Sequence, residues 1–265
     1  MLPVLVEKTE ADYGLNVRIN MNEMIVFVET QSEHGSLFGD GNNGHDGPMT
    51  KLQCVEDGTL KNYIDAWASV IDTNAYKPVR ESINEEFAVG MHSMVIMSSS
   101  RLRTIENLVG DDFEWGVAPV PTVSEADAGG SFPTGSGLFI VNRNNPDKVA
   151  AAWEFVQFMA SPEVQAQWLD TTGYVPVNLK ALENEAYKAI IENDPIMSVP
   201  FDTLINSESI ITSPFVPNYS AIDTLIKDTM ISFGNHEIDK DAAYAAIAEG
   251  VEQIFAEYYR TNSVK

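Results

Sequence analysis

The chain has 265 residues, 44% hydrophobic and 21% charged. That is ordinary globular usage, enough to build a core, and it excludes wholesale disorder; at about 150 residues per domain, one large or two modest domains fit. Sixteen Lys and Arg against 39 Asp and Glu leave a formal charge of −23, which argues against nucleic acid or an anionic lipid surface as a partner, since both require a basic face.

One cysteine, Cys54, cannot form an internal disulfide or a cysteine-rich zinc site, and it reads as a small buried hydrophobe. No run approaches the roughly 18 apolar residues of a membrane span. The N-terminal residues lack the basic and small-residue features of a signal peptide.

In chain order, Leu2 to Thr9 reads as a helix with no capping residue before it. Tyr13 to Val17 reads as a strand, Met24 to Val28 as an apolar run, and Ser36 to Pro48 as a glycine-rich loop. Thr59 to Ile71 repeats apolar residues at helical spacing, with Thr59 as the expected N-cap. Ile83 to Val89 is a second helix, ended by Gly90. Ser93 to Met97 is a strand, Ser98 to Ser100 a turn, and Arg101 to Val109 a helix. Trp115 to Val120 and Gly137 to Val141 are predicted strands.

Asn145-Pro146 opens a helix to Met159, with proline at its first position. Ser161-Pro162 opens another, stopped by Gly173, and Tyr174 to Val177 is extended. Helices follow around Leu179 to Asn193, Ala221 to Phe233 and Asp241 to Tyr259. The last carries Ala245, Ala248, Val251, Ile254, Phe255 and Tyr258 as an apolar stripe. Strands alternating with helices predict an α/β fold.

Catalytic motifs are missing. Glu33, His34, Asp40, His45 and Asp46 share one loop, but the calcium-loop register fails: its twelfth position is Lys51. That loop reads as a structural turn, and no metal is expected. Gly135-Ser136-Gly137 lacks the spacing of a nucleophile elbow. No phosphate loop or dinucleotide fingerprint occurs, so no cofactor is expected. Two segments suit binding. In Ser93 to Met97 followed by Ser98-Ser99-Ser100, a strand feeds a helix through hydroxyl residues, beside Arg101 and Arg103; such a turn can bond a sugar hydroxyl or hold an anion, though taken alone ordinary N-capping is the better account of it. Gly129 to Gly137 lets backbone approach a ligand closely, or serves as a linker.

Four stretches resemble the extracellular solute-binding protein family 1 of ABC sugar importers, and within it the glycerol-3-phosphate-binding branch. Phe38-Gly-Asp-Gly-Asn-Asn-Gly-His-Asp-Gly47 is similar to that branch's Asn-Asn-Gly-Phe-Asp-Gly loop. Phe87 to Met97 with Ser98-Ser99 resembles its helix, strand and Ser-Ser turn. Trp115-Gly-Val-Ala-Pro-Val-Pro121 resembles its Tyr-Gly-Val strand. Ala152 to Trp168, with Thr172-Gly-Tyr-Val-Pro176, is the most specific match.

The resemblance implies a periplasmic-binding-protein-like type II fold: two α/β lobes closing as a clamp on a solute. It further implies an N-terminally truncated chain with most of the first lobe missing. Residues 1–111 and 172–265 would form the second lobe, and 112–171 a returning segment of the first. The Val149, Ala152, Trp153, Val156 and Met159 stripe would then lose the sheet it packs on, leaving apolar surface uncovered and the chain marginally stable or associating.

The implied function is the extracytoplasmic solute-binding component of an ABC importer, in the periplasm or as a cell-surface lipoprotein. It would bind a carbohydrate or glycerol-phosphate-like solute in an interlobe cleft, partner membrane permease subunits, insert into no membrane and catalyse nothing. Ser98, Ser99, Gly135 and Ser136 would bond the solute, and Tyr174 would stack on it. Two departures disfavour a phosphate: Glu33 stands where the branch has tryptophan, and Phe215 where it has arginine. A glycoside-processing enzyme and a non-binding gene fragment are the alternatives.

Overall fold

The computed structural model describes residues 1–17, 19–31, 37–78, 82–207 and 211–262. Glu33, His34 and Ser36 therefore lie outside the described residues. Contacts divide the chain into two compact units: residues 1–97, 120–132 and 206–265, and residues 98–119 and 133–205.

The first unit is built on a three-stranded parallel sheet in the order β2-β1-β3, where β1 is Leu15–Val17, β2 Tyr76–Pro78 and β3 Val95–Ile96. Leu15 pairs with Tyr76, Asn16 with both Lys77 and Val95, and Val17 with Ile96. Parallel neighbours require crossover helices; the Met21–Glu29 and Thr59–Ile71 helices lie between β1 and β2, and the Ile83–Ala88 helix between β2 and β3. Asn20 caps Met21–Glu29 by accepting from the Asn22 and Glu23 amides. Thr59–Ile71 has the expected bounds, but its N-cap is Gly58 at φ 87, and Thr59 is its first helical residue. Asp57 accepts from the Thr59 amide and hydroxyl instead.

Long C-terminal helices, Tyr219–Gly234 and Lys240–Thr261, complete this unit. The latter buries Ala243, Ile247, Ala248, Val251 and Phe255, a stripe rotated from the predicted one so that Ala243 and Ile247 face inward. Its core gathers Met21, Met24, Ile25, Leu60, Ile64, Ile222, Ile226 and Val251, all essentially inaccessible. Cys54 is buried among them as expected, and burial pushes its thiol far above the usual range.

The second unit is helical. It contains Leu102–Val109, Pro146–Met159, Pro162–Thr172, Glu185–Asn193 and Val199–Ile205. Asn145 accepts from the Lys148 amide at the predicted start of Pro146–Met159. Gly173, at φ 77, ends Pro162–Thr172 in the left-handed conformation glycine favours. Its buried apolar residues include Leu102, Ile105, Val109, Ala181, Met197 and Phe201, and one cluster gathers Ala166, Leu169 and Tyr187, with Leu182, Ile190 and Ile191 packed against them.

Two predicted strands do not form. Trp115–Val120 and Gly137–Val141 have no ladder partner among the described residues, because an apolar run becomes a strand only where another strand accepts its hydrogen bonds. Leu138, Phe139 and Val141 are exposed. No residue of the Pro146–Met159 helix is fully buried. Trp153, Phe155 and Phe158 on it are all more than half exposed; of the predicted stripe only Trp153 is among them, while Val149, Ala152, Val156 and Met159 are half-buried, so the apolar surface left open lies mostly beside the stripe rather than along it.

Candidate functional site

All five residues implied by the resemblance lie in the second unit. β3 delivers the chain to Ser98, whose extended backbone turns into a 3-10 turn, Ser99–Arg101, that runs on into the Leu102–Val109 helix. Ser98 Oγ accepts from the Ser100 amide at 3.4 Å and lies 3.1 Å from Ser100 Oγ. The capping role foreseen for this turn is therefore realised. Ser99 and Ser100 remain partly accessible.

Ser99 meets the end of Pro162–Thr172. A Cβ placed on Gly173 would stand 2.9 Å from the Ser99 carbonyl oxygen and 3.1 Å from Leu102 Cβ, so only glycine permits this approach. Tyr174 follows immediately, 38% exposed. Gly135, at φ 150, comes next to it: a Cβ there would lie 3.8 Å from Tyr174 Cε1. Ser99, Gly173, Tyr174 and Gly135 thus form one continuous neighbourhood. Ser136 is exposed beside Gly135 in the chain.

Two residues of this neighbourhood escaped the sequence reading. Trp168 packs 6.5 Å from Tyr174 between ring centroids and is 44% exposed, so two aromatic faces stand together. It belongs to the most specific motif, six positions before Tyr174 and on the helix that Gly173 ends, and that shared motif was the available signal. The other is Arg103, named only as a neighbour. Its Nη1 reaches Glu106 at 2.6 Å and Asp194 at 2.9 Å, its Nη2 reaches Asp170 at 3.1 Å, and its Nε donates to the Asp170 carbonyl at 2.7 Å. Burial alone would lower its pKa; the carboxylates Glu106, Asp194 and Asp170 outweigh that and raise it. This guanidinium is committed to three internal partners.

The first unit holds two buried polar networks. Glu29, 5% exposed, accepts at Oε1 from Asn43 Nδ2 at 2.6 Å and the Phe38 amide at 3.2 Å, and at Oε2 from the Thr212 amide at 2.8 Å. Burial raises its pKa against the opposing pull of those donors. His92 Nε2 lies 2.8 Å from Glu86 Oε2 and 3.0 Å from Asn16 Nδ2, while His92 Nδ1 has no partner among the described residues. Burial lowers the His92 pKa, with Glu86 opposing. Asp40, in the loop considered for metal, accepts from the Thr50 and Lys51 amides and the Thr50 hydroxyl, the work of a structural turn.

Residues 21–198 match the family model described as bacterial extracellular solute-binding protein. The sn-glycerol-3-phosphate-binding periplasmic protein UgpB of Yersinia pseudotuberculosis is 22% identical over 178 residues, 65% of this chain and 40% of that protein. The UgpB of Pectobacterium atrosepticum is 27% identical over 174 residues, 62% of this chain and 37% of that protein. The chain thus spans well under two thirds of the length of these relatives.

Among solved structures, UgpB from Mycobacterium tuberculosis, in complex with glycerophosphocholine, superposes with a TM-score of 0.75 at 22% identity, covering 97% of this chain and 62% of that one. The sugar-binding protein MalE from Xanthomonas citri gives a TM-score of 0.68 at 18% identity, covering 94% and 60%. The fold is therefore the α/β, periplasmic-binding-protein-like type II fold. No described helix is long and apolar enough to cross a membrane. On the match over residues 21–198, the chain belongs to the bacterial extracellular solute-binding protein family.

Proposed function

We propose that this chain is the solute-binding part of an ABC importer, acting outside the cytoplasm and handing a carbohydrate to membrane permease subunits without altering it. Ser98, Ser99, Gly135, Ser136 and Tyr174 would form one wall of its site, with Trp168 beside Tyr174 as a second stacking face. The division into 1–111, 112–171 and 172–265 belongs to the same proposal, as the order in which the chain visits the family's two lobes.

The observation that carries the reading is the Ser99–Gly173–Tyr174–Gly135 neighbourhood, with Trp168 and Tyr174 rings 6.5 Å apart. Hydroxyls and close-approaching backbone beside aromatic faces suit a pyranose, whose C–H faces stack and whose hydroxyls bond. A sugar is favoured over a glycerol phosphate because two aromatic faces stand together here and Arg103 is held by Glu106, Asp170 and Asp194, which leaves the exposed Arg101 as the cation beside the turn for a charged solute. A phosphate calls for a cation that is free to turn toward it.

A thermal-shift screen of mono- and oligosaccharides, with glycerol 3-phosphate and glycerophosphodiesters as the charged arm, tests this. Stabilisation by a neutral sugar, lost in Tyr174→Ala, is expected. Stabilisation by the phosphates alone would replace the sugar with the charged solute, and glycan turnover by the purified chain would favour an enzyme instead.

A further inference from the structure

The dipeptide Asn-Gly occurs once in the sequence, at Asn43–Gly44, and the first unit demands both residues. Asn43 is fully buried. Its Oδ1 accepts from the Gly39 amide at 2.8 Å, and its Nδ2 donates to Glu29 Oε1 and to the Thr212 carbonyl, both at 2.6 Å. A short side-chain amide is the group that offers one acceptor and two donors in that space. Gly44 has φ 81, and a Cβ on it would stand 2.6 Å from the Phe215 carbonyl oxygen, so the backbone there requires glycine.

The pair that the fold requires is chemically labile, because glycine has no Cβ to shield its backbone nitrogen. Gly44 N can attack Asn43 Cγ: the N–Cγ bond forms, the Cγ–Nδ2 bond breaks, and ammonia leaves a succinimide. Water then opens the ring to an aspartyl or isoaspartyl residue. The net change converts an amide and water to a carboxylate and ammonium, with no other reactant. In the native state this route is closed. The Gly44 N–H donates to the Asp40 carbonyl at 3.2 Å, the Asn43 carbonyl receives the Phe215 amide at 2.8 Å, and the leaving Nδ2 is held twice. Ring closure takes the amide out of those bonds, which is a local unfolding event. Nor does the product fit back. A carboxylate at position 43 would face Glu29 Oε1 and the Thr212 carbonyl with no proton for either, and buried acceptors left without donors are strongly disfavoured.

We infer that Asn43–Gly44 is a deamidation site that the folded first unit holds shut, so that each unfolding exposes the chain to a covalent change that bars its return. The test holds the full chain in mildly alkaline buffer, with urea below or above its unfolding transition. Tandem mass spectrometry of the tryptic peptide 19–51, with isoaspartyl labelling, follows conversion at Asn43. Conversion should run at least about tenfold faster in the unfolded chain, because the chemistry follows the population of the open form. Gly44→Ala should slow it there, where no fold is at stake. On dilution from urea, the fraction that fails to refold should match the fraction converted. Asn43→Asp should have a lower urea midpoint or fail to fold. Equal conversion rates on either side of the transition would overturn the inference, as would no conversion at Asn43 in the unfolded chain. Converted chains that refold as well as intact ones, or an unchanged midpoint in Asn43→Asp, would also overturn it.

Discussion

Glu29 and Asn43 meet side chain to side chain at 2.6 Å inside the first unit, and Asn43 Nδ2 stands equally close to the Thr212 carbonyl. One carboxylate thus ties the end of the Met21–Glu29 helix to the Phe38–Asn43 loop and to the segment at Thr212. Glu29→Gln places an amide N–H against one of three buried donors, and should cost about 1–3 kcal/mol. The pH sign follows from the raised pKa. The native fold binds the proton more tightly than the unfolded chain, whose value is near 4.5, so Glu29 contributes stability at low pH that is lost as pH rises through its folded value. Urea melts should show the variant's deficit narrowing from pH 4.5 upward; a constant deficit would contradict this.

His92 runs the other way. Burial, with Nδ1 unpartnered among the described residues, depresses its pKa below 6.5, so its contribution is complete above that pH and lost as pH falls through and below it. Between pH 7 and 5 the native melting temperature should drop more steeply than that of His92→Gln. Parallel curves would show that the Glu86 carboxylate, 2.8 Å away, cancels the burial effect.

Gly173→Ala combines a left-handed φ of 77 with a Cβ only 2.9 Å from the Ser99 carbonyl. A cost of about 1–3 kcal/mol is expected. Because Ser99 must move to admit the methyl, affinity for any solute found in the thermal-shift screen should fall as well. Unchanged binding with reduced stability would separate Gly173 from the site.

Trp153→Gln on the exposed helix should leave stability within about 0.5 kcal/mol, as for a surface residue. Binding of a hydrophobic dye and concentration-dependent association should both diminish. Analytical ultracentrifugation of the two chains at matched concentrations measures this, and identical sedimentation would remove the helix face as the cause of association.

Legibility in the sequence followed locality. The bounds of Thr59–Ile71, Pro146–Met159 and Pro162–Thr172 could be read because apolar spacing, Asn145, the prolines and Gly173 act within a few positions. β2 escaped because Tyr76–Pro78 is three residues long and contains a lysine and a proline. The opposite error at Trp115–Val120 and Gly137–Val141 has the same root: strand pairing is decided by distant segments. The site divides likewise. Ser98, Gly135 and Tyr174 carried a motif, whereas the bonds of Arg103 to Asp170 and Asp194 span 67 and 91 positions, and that of Glu29 to Thr212 spans 183. Nothing in a local pattern marks such pairs.

The path of the backbone has a practical outcome for anyone handling this molecule. The chain passes between its two units after residues 97, 119, 132 and 205, and its first and last stretches both belong to the first unit. A fluorophore or affinity handle attached at either end therefore reports on the first unit alone. To watch Tyr174 and its neighbours, a probe must be set within 98–119 or 133–205 themselves.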